Sequence, residues 1–260
     1  MTKKLFQAKE YVRYLFRSQS KYYIHSPFVY EFVMKVLLDE GQYYSFAEIE
    51  ELREQLYTIN QKVEMEDFGA GGRKMKQTSV KELILNSAKP KKYAQLLYRI
   101  INFYQCNERL ELGTSLGLTT LYLQEANHNG KLISIEGSAS VAKIASDNFK
   151  RFDCSKLELF VGNFDDVLPD VLNRFQKLDF VFFDGNHRKK PTLNYFEQCL
   201  AKINNDAIFV FDDIYWSSEM KEAWNEIINH KLVTVSIDLY SIGIIFFRQE
   251  QAKQNFIIRF

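Results

Sequence analysis

Short apolar segments alternate with amphipathic ones after residue 105, and this alternation limits the fold more than any other feature of the chain. Uninterrupted apolar runs are typical of strands buried on both faces of a parallel sheet, and their alternation with helices indicates βαβ units. We therefore predict an α/β fold with a seven-stranded, doubly wound, Rossmann-like sheet. The predicted strands are Arg109–Leu112, Lys131–Glu136, Leu157–Val161, Leu178–Asp184, Ala207–Asp212, Leu232–Ile237 and Ile242–Phe247, and the helices between them are Leu118–Glu125, Ser140–Phe152, Pro191–Ile203 and Ser217–Asn229.

The chain before residue 105 has the pattern of helices instead. Ser26 and Pro27 form a helix start, because a serine hydroxyl caps the first turn and proline suits the first helical position. The glycine-rich stretch 67–73 predicts a break. We predict that residues 1–80 form an N-terminal helical lid, substrate-binding or oligomerisation region, and that residues 81–260 form the main domain. The predicted N-terminal helices are Lys4–Arg17, Pro27–Leu38, Phe46–Asn60, Val80–Ser87 and Lys92–Tyr104.

Composition narrows the classes of protein to consider. The formal net charge is only +1, so no overall basic field indicates nucleic-acid binding. No apolar run is long enough to cross a membrane. Three widely spaced cysteines argue against a disulfide framework and favour a reducing, cytoplasmic setting. Basic and aromatic residues between Lys3 and Lys21 would suit an anionic membrane or nucleic acid, but a helix solvated on one face is the interpretation we favour here.

The first predicted strand runs into a turn with two glycines, Gly113 and Gly117. The first would permit a tight turn and a close approach of a ligand, and the second would let the next helix pack near the strand. Their spacing differs from the G-x-G-x-x-G dinucleotide fingerprint. Two glycines after a strand also suit an ordinary connection, so the turn alone does not define a binding site.

The next two strand ends add polar groups to that turn. Glu136 ends the second strand about 20 residues beyond Gly113, where a carboxylate can accept both ribose hydroxyls of a nucleoside. After the third strand, Asn163 or Asp165 could bond the adenine edge and Phe164 could form an apolar wall. Gly-Asn is also common turn chemistry. Together these residues predict a nucleoside site.

Carboxylates follow the fourth and fifth strands, at Asp184 and at Asp212 with Asp213. Like charges this close either raise a pKa or require a cation, and carboxylate ligands favour a hard ion such as magnesium. Alternatively, Asp184 contacts the amine of a cofactor while Asp212 and Asp213 cap the following helix. His187 can accept a proton near neutral pH or bond a neighbouring acid.

With these motifs assembled, residues 83–247, about two-thirds of the chain, resemble the class I S-adenosylmethionine (SAM)-dependent methyltransferases, especially the catechol-type small-molecule O-methyltransferases. Glu-Leu-Gly-Thr-Ser-Leu-Gly matches the first motif of that family, and Ile-Glu136 matches the second. Leu-Asp-Phe-Val-Phe-Phe-Asp184 and Ile-Phe-Val-Phe-Asp-Asp213 match its fourth and fifth strand motifs. The family fold also implies that the last predicted strand is antiparallel.

The resemblance implies a role for each matching residue. Glu136 would hold the ribose, Asn163 and Phe164 the adenine, and Asp184 would serve in catalysis as well as in binding. The family's metal ligands correspond to Asp184, Asp212 and Asp213, which implies Mg²⁺ or another divalent cation. His187 stands where the family has a lysine base. The remaining expected cofactor-binding residues are Glu111, Gly113, Thr114, Ser115, Gly117, Thr119 and Gly137.

The sequence differs from the family pattern at Asp213, where the family has an amide residue. The additional negative charge leaves open whether this chain uses a metal. The expected activity is methyl transfer from SAM to a deprotonated hydroxyl of a small molecule, in a protein that forms a homodimer. Two alternatives stay open. One is an RNA or protein methyltransferase, although Asp184-Gly-Asn-His187 replaces the Asn/Asp-Pro-Pro-Tyr motif used on nucleobase amines. The other is a non-catalytic SAM-binding module.

Overall fold

A computed structural model describes residues 3–67, 74–152 and 154–260 of the chain. The α-helices of the described part are α1 Lys3–Arg17, α2 Pro27–Phe32, α3 Tyr44–Tyr57, α4 Val80–Ser87, α5 Lys91–Tyr104, α6 Leu118–Glu125, α7 Ala139–Phe149, α8 Phe164–Leu172, α9 Lys189–Leu200 and α10 Ser218–Asn229. The strands are β1 Lys62–Asp67, β2 Lys74–Ser79, β3 Glu108–Leu112, β4 Lys131–Glu136, β5 Leu157–Val161, β6 Leu178–Phe183, β7 Ile203–Asp212, β8 Val235–Asp238, β9 Ile242–Phe246 and β10 Gln254–Ile257.

The predicted N-terminal helices are confirmed, with small shifts at their ends. Helix α2 begins as predicted, because the Ser26 hydroxyl accepts a hydrogen bond from the Val29 backbone N–H at 3.4 Å and Pro27 occupies the first turn. It continues as a π-helical segment, Val33–Leu37. None of the described helices is both long and apolar enough to cross a bilayer.

An antiparallel hairpin, β1 with β2, lies where the sequence predicts only a glycine-rich break. Its register pairs Lys62 with Ser79 and Asp67 with Lys74. Residues 68–73, which are all of the predicted break except Asp67, lie outside the described residues. The hairpin escaped prediction because β1 is mostly polar, with Val63 as a buried residue, and so lacks a clear apolar face.

The described chain forms two compact units. One unit spans residues 39–174 and contains three parallel strands in the order β3-β4-β5. The other combines residues 1–38 with 175–260 and has the strand order β10-β8-β9-β7-β6. The predicted division into residues 1–80 and 81–260 stays a prediction.

Every strand predicted after residue 105 is present, and the α/β fold is confirmed. Strand β9 pairs antiparallel with β7, as the family resemblance implies, and β7 runs parallel to β6. An additional strand, β10, pairs parallel with β8. All six residues of β6 are buried, which agrees with a strand covered on both faces.

Candidate active site

The backbone of the turn after β3 lies at the carboxyl end of that strand. Gly113 has a φ of 114° and donates its N–H to the Ile135 carbonyl at 2.9 Å, while Ser115 also lies in the left-handed region at 49°. The Gly117 N–H closes the turn onto the Thr114 carbonyl at 2.9 Å. A side chain at Gly113 would carry the strain of a positive φ, so this position favours glycine.

Gly117 lies between this turn and α6, and two features of the structure favour glycine at this position. Its φ is 84°, and a Cβ atom would lie 2.4 Å from Cε1 of Phe149. Gly117→Ala is therefore expected to lower the free energy of unfolding. The left-handed backbone costs about 1–2 kcal/mol and the crowding about 1–3 kcal/mol. Urea unfolding measures the sum.

The control separates the two causes. Phe149→Leu removes ring atoms that the new methyl group would meet. In that background, Gly117→Ala should lower the free energy of unfolding by less, and the difference should equal the contribution of crowding. An equal loss of stability in both backgrounds would contradict the predicted clash with Phe149.

Glu136 connects the turn after β3 to the turn after its own strand. Its carboxylate oxygens accept backbone N–H groups of Ser115 at 2.8 Å and of Ser138 at 2.9 Å. Burial raises the pKa of Glu136 above its usual range, and the backbone donors at Ser138, Ser115 and Gly137 oppose that rise. A carboxylate offers about four acceptor positions, so capacity remains for ligand hydroxyls.

The end of β5 lies beside Glu136 through backbone pairing. Val161 is the register partner of Glu136, and the Gly162 N–H donates to the Glu136 carbonyl at 2.9 Å. Asn163 then caps α8, accepting the Asp165 N–H at 3.4 Å, and Phe164 is the first helical residue. The structure therefore brings Asn163 and Phe164 to the same strand edge as Glu136.

Burial divides the predicted cofactor-binding residues into two groups. Glu111 is fully buried. Its carboxylate accepts hydrogen bonds from the hydroxyl groups of Thr120 at 2.5 Å and Ser134 at 2.6 Å. Thr114, Gly117 and Thr119 are buried as well. Buried residues of this kind support the conformation of the turn. The partly exposed residues, which a ligand could contact without rearrangement, are Gly113, Ser115, Glu136, Gly137, Asn163 and Phe164.

In the other unit, three side chains at the ends of β6 and β7 converge. Asp184, His187 and Asp212 each offer a ligand atom, and these atoms all lie within 4.8 Å of one another. The His187 Nε2 atom is 3.9 Å from Oδ1 of Asp184, and Asp212 is 2% exposed. We call these three residues the acidic cluster. Its position at strand ends agrees with where α/β sheets bind ligands.

The loop after β6 has a defined conformation that carries His187 back towards Asp184. Asn186 adopts a φ of 52°, which asparagine tolerates better than most residues. Its Nδ2 group donates to the Tyr195 hydroxyl at 3.2 Å, and its Oδ1 atom accepts from Arg188 Nε at 2.8 Å. The loop is thus held by side-chain hydrogen bonds on both sides of His187.

Asp213 is not one of the three converging residues, although it was predicted as a ligand beside Asp212. Its φ is 52°, its N–H donates to the Ser241 carbonyl at 2.7 Å, and its carboxylate lies near the Lys3 ammonium. Successive residues at a strand end point in different directions. The cluster therefore gains His187 in place of Asp213.

The start of α1 covers the turn that follows Asp213, a contact that sequence analysis missed. Lys3 lies over the Trp216 ring, and Gln7 Nε2 donates to the Trp216 carbonyl at 3.1 Å. The same ring is 6.1 Å from the His187 ring. Burial lowers the pKa of Lys3. No local pattern could reveal this contact, because its partners lie more than 200 residues apart.

Comparison with known proteins adds a family pattern to this geometry. Residues 110–214 match a family model described as a methyltransferase domain. They include the turn after β3, Glu136, Asn163 and the whole acidic cluster. A search of curated proteins finds no match.

Several solved structures share the fold at low sequence identity. The O-methyltransferase from Bacillus cereus, in complex with S-adenosylhomocysteine (SAH), is 16% identical over 84% of this chain and 96% of that chain, with a TM-score of 0.57. TomG, the Streptomyces achromogenes O-methyltransferase involved in tomaymycin synthesis, in complex with SAM, is 18% identical over 85% and 95%, with a TM-score of 0.58. The SAH-bound Podospora anserina methyltransferase PaMTH1 is 11% identical over 87% and 98%, with a TM-score of 0.62.

At these identities, the structural similarity establishes a common fold. The sequence match is independent of it and falls on the strands that carry the predicted motifs. The chain thus has the fold of these O-methyltransferases and the sequence pattern of a methyltransferase domain at residues 110–214, which confirms the resemblance predicted from its motifs.

Proposed function

We propose that the protein is an enzyme that transfers the methyl group of SAM to a hydroxyl oxygen of a small molecule. One observation carries the proposal. The Glu136 carboxylate, partly exposed and held by two backbone N–H groups, lies beside the glycine turn within the segment that matches the methyltransferase model. The solved structures with SAM or SAH bound support the choice of nucleoside.

In this proposal Glu136 holds the ribose of SAM by accepting hydrogen bonds from its hydroxyl groups. Gly113 and Ser115 line the methionine part with backbone, and Asn163 with Phe164 contact the adenine. The buried residues Glu111, Thr114, Gly117 and Thr119 keep the turn in shape, and Gly137 lets the chain pass close to the ribose.

Methyl transfer is an in-line displacement at the sulfonium carbon, so the acceptor oxygen must lose its proton. We propose His187 as the base that takes it, at a position where its Nε2 atom lies 3.9 Å from Oδ1 of Asp184. Trp216, whose ring is 6.1 Å from that of His187, provides an aromatic wall for the acceptor.

The acidic cluster also fits a divalent cation, which the catechol-type resemblance implies. Its two carboxylates supply the oxygen ligands that such ions prefer, so Asp184 and Asp212 would hold the cation, and the His187 imidazole beside them is kept for the acceptor proton. A bound cation would lower the pKa of a coordinated hydroxyl on the acceptor. The metal and the part that Asp213 plays in it stay predictions.

The test of the proposed function is binding followed by turnover. Isothermal titration should detect SAM and SAH but not NAD, because the turn lacks the dinucleotide fingerprint. Methylated product should then form on a panel of phenols, hydroxy acids and sugars. Binding of SAM without product on the panel, but with product on RNA or protein, would favour a macromolecular substrate. Absence of SAM binding would refute the proposal.

Two further assignments are proposals of the same kind. Cytoplasmic residence is supported by the wide spacing of the three cysteines, Cys106, Cys154 and Cys199, which suits a reducing setting. Homodimer formation is a prediction carried over from the sequence, and sedimentation analysis would test it.

A further inference from the structure

Helix α1 has an apolar face towards solvent as well as one towards the protein. On the inner side, Tyr14 is buried and its hydroxyl donates to the Ile258 carbonyl at 2.6 Å. On the outer side lie Leu5, Val12 and Phe16, whose exposed fractions are 59%, 49% and 88%. Their spacing places them along one side of the helix. We call these three residues the outer apolar stripe.

The exposed charges on α1 are all basic. Lys4, Lys9, Arg13 and Arg17 are exposed. The one acidic residue of the helix, Glu10, is buried and forms ion pairs with Lys221 at 2.7 Å and with Arg13 at 2.6 Å. The basic charge is local, since the whole chain carries a formal net charge of only +1.

Two exposed tyrosines follow the end of α1 in the chain. Tyr22 and Tyr23 are 81% and 69% exposed in the turn that begins at Lys21. Tyrosine, with an apolar ring and a polar hydroxyl, is enriched where membranes meet water. An apolar stripe flanked by lysine and arginine is likewise typical of helices that lie in a membrane interface.

We propose that α1 binds the surface of an anionic phospholipid membrane, with the outer apolar stripe inserted among the lipids and its basic residues against the headgroups. The charge decides between this partner and a second copy of the chain. In a symmetric dimer through the stripe, the basic residues beside it, such as Lys4 and Lys9, would meet the basic residues of the other copy, and α1 exposes no acidic residue to compensate. Lipid phosphates supply the opposite charge.

The test is co-sedimentation of the full chain with vesicles. One set contains phosphatidylcholine alone, and the other contains equal parts of phosphatidylcholine and phosphatidylglycerol. The protein should sediment with the anionic vesicles and much less with the neutral ones, and high salt should weaken the binding. The measurement is independent of the proposed methyl transfer.

Two variants test the two components of the surface. Phe16→Ser removes the most exposed residue of the stripe and should lower vesicle affinity about tenfold or more. The double variant Lys4→Glu/Lys9→Glu reverses two exposed charges and should lower it at least about tenfold. Matched controls are Tyr44→Ser, which removes an aromatic side chain 92% exposed on α3, and Lys143→Glu/Lys150→Glu, at exposed lysines on α7 and directly after it. Both controls should bind as the native protein does.

Thermal melting of each variant identifies any that fail to fold, and the control pair then calibrates the effect of charge. The proposal is overturned if anionic vesicles do not bind the protein. It is also overturned if Phe16→Ser binds as well as the native chain, because the attraction would then be electrostatic only. A dimer that Phe16→Ser dissociates in sedimentation analysis, without vesicle binding, would assign the stripe to a second copy.

Discussion

Replacing His187 with alanine is expected to reduce methyl transfer by about 10²–10⁴-fold, the range that a positioned general base contributes. His187 lies in the acidic cluster, 3.9 Å from Asp184, and its ring is partly exposed beside Trp216. SAH affinity should stay unchanged, because the proposed SAM contacts are made by other residues. Single-turnover rates and titration with SAH measure the two quantities separately.

The matched control for this variant is His128→Ala. His128 is an exposed histidine that pairs with Glu125 at 3.3 Å on α6, away from the cluster residues in sequence, so its loss should leave turnover intact. Native turnover in His187→Ala would remove this residue from the mechanism.

Replacing Glu136 with glutamine is expected to weaken SAH binding by roughly 10²-fold, since hydrogen bonds to a charged group contribute about 1.5–3 kcal/mol each. Glutamine keeps the shape of the side chain and one of the two oxygens, while its amide nitrogen faces the N–H group of either Ser115 or Ser138, because these two groups bind different carboxylate oxygens. It removes the charge that the ribose hydroxyls would meet. Isothermal titration measures the change in affinity, and turnover at saturating SAM should be affected less.

The pH dependence of binding gives a second measurement at Glu136. Burial raises the pKa of this carboxyl, so it takes up a proton at a higher pH than an ordinary glutamate does. Because the ionised form is the stronger acceptor, SAH affinity should fall as the pH decreases through this raised pKa. In Glu136→Gln that decrease should be absent.

Glu158→Gln is the control for a carboxylate lost from the same unit. Glu158 lies on β5 and pairs with Arg174 at 2.9 Å at a partly exposed position. This variant should bind SAH as the native chain does, with the native pH dependence. Equal affinity of Glu136→Gln and the native protein for SAH would show that the carboxylate does not hold the ribose.

Most of the fold could be predicted because its strands contain short apolar runs that end abruptly in polar residues. β6 is such a run, and its predicted start at Leu178 is correct. The elements that escaped prediction lack that contrast. The β1–β2 hairpin is mostly polar, β10 has no buried residue, and α8 contains Pro169, which argues against a helix in sequence.

The sequence by itself determined the strand ends of this protein, and with them the positions of Gly113, Glu136, Asn163 and Asp184, because an apolar run and the turn residue after it are local features. Only the tertiary structure decided which side chains meet. It joined Asp212 to Asp184 and His187 and directed Asp213 towards Lys3, through a left-handed turn that strand periodicity does not encode. It also placed the start of α1 on Trp216, a contact between distant parts of the chain that forms only when the helix packs.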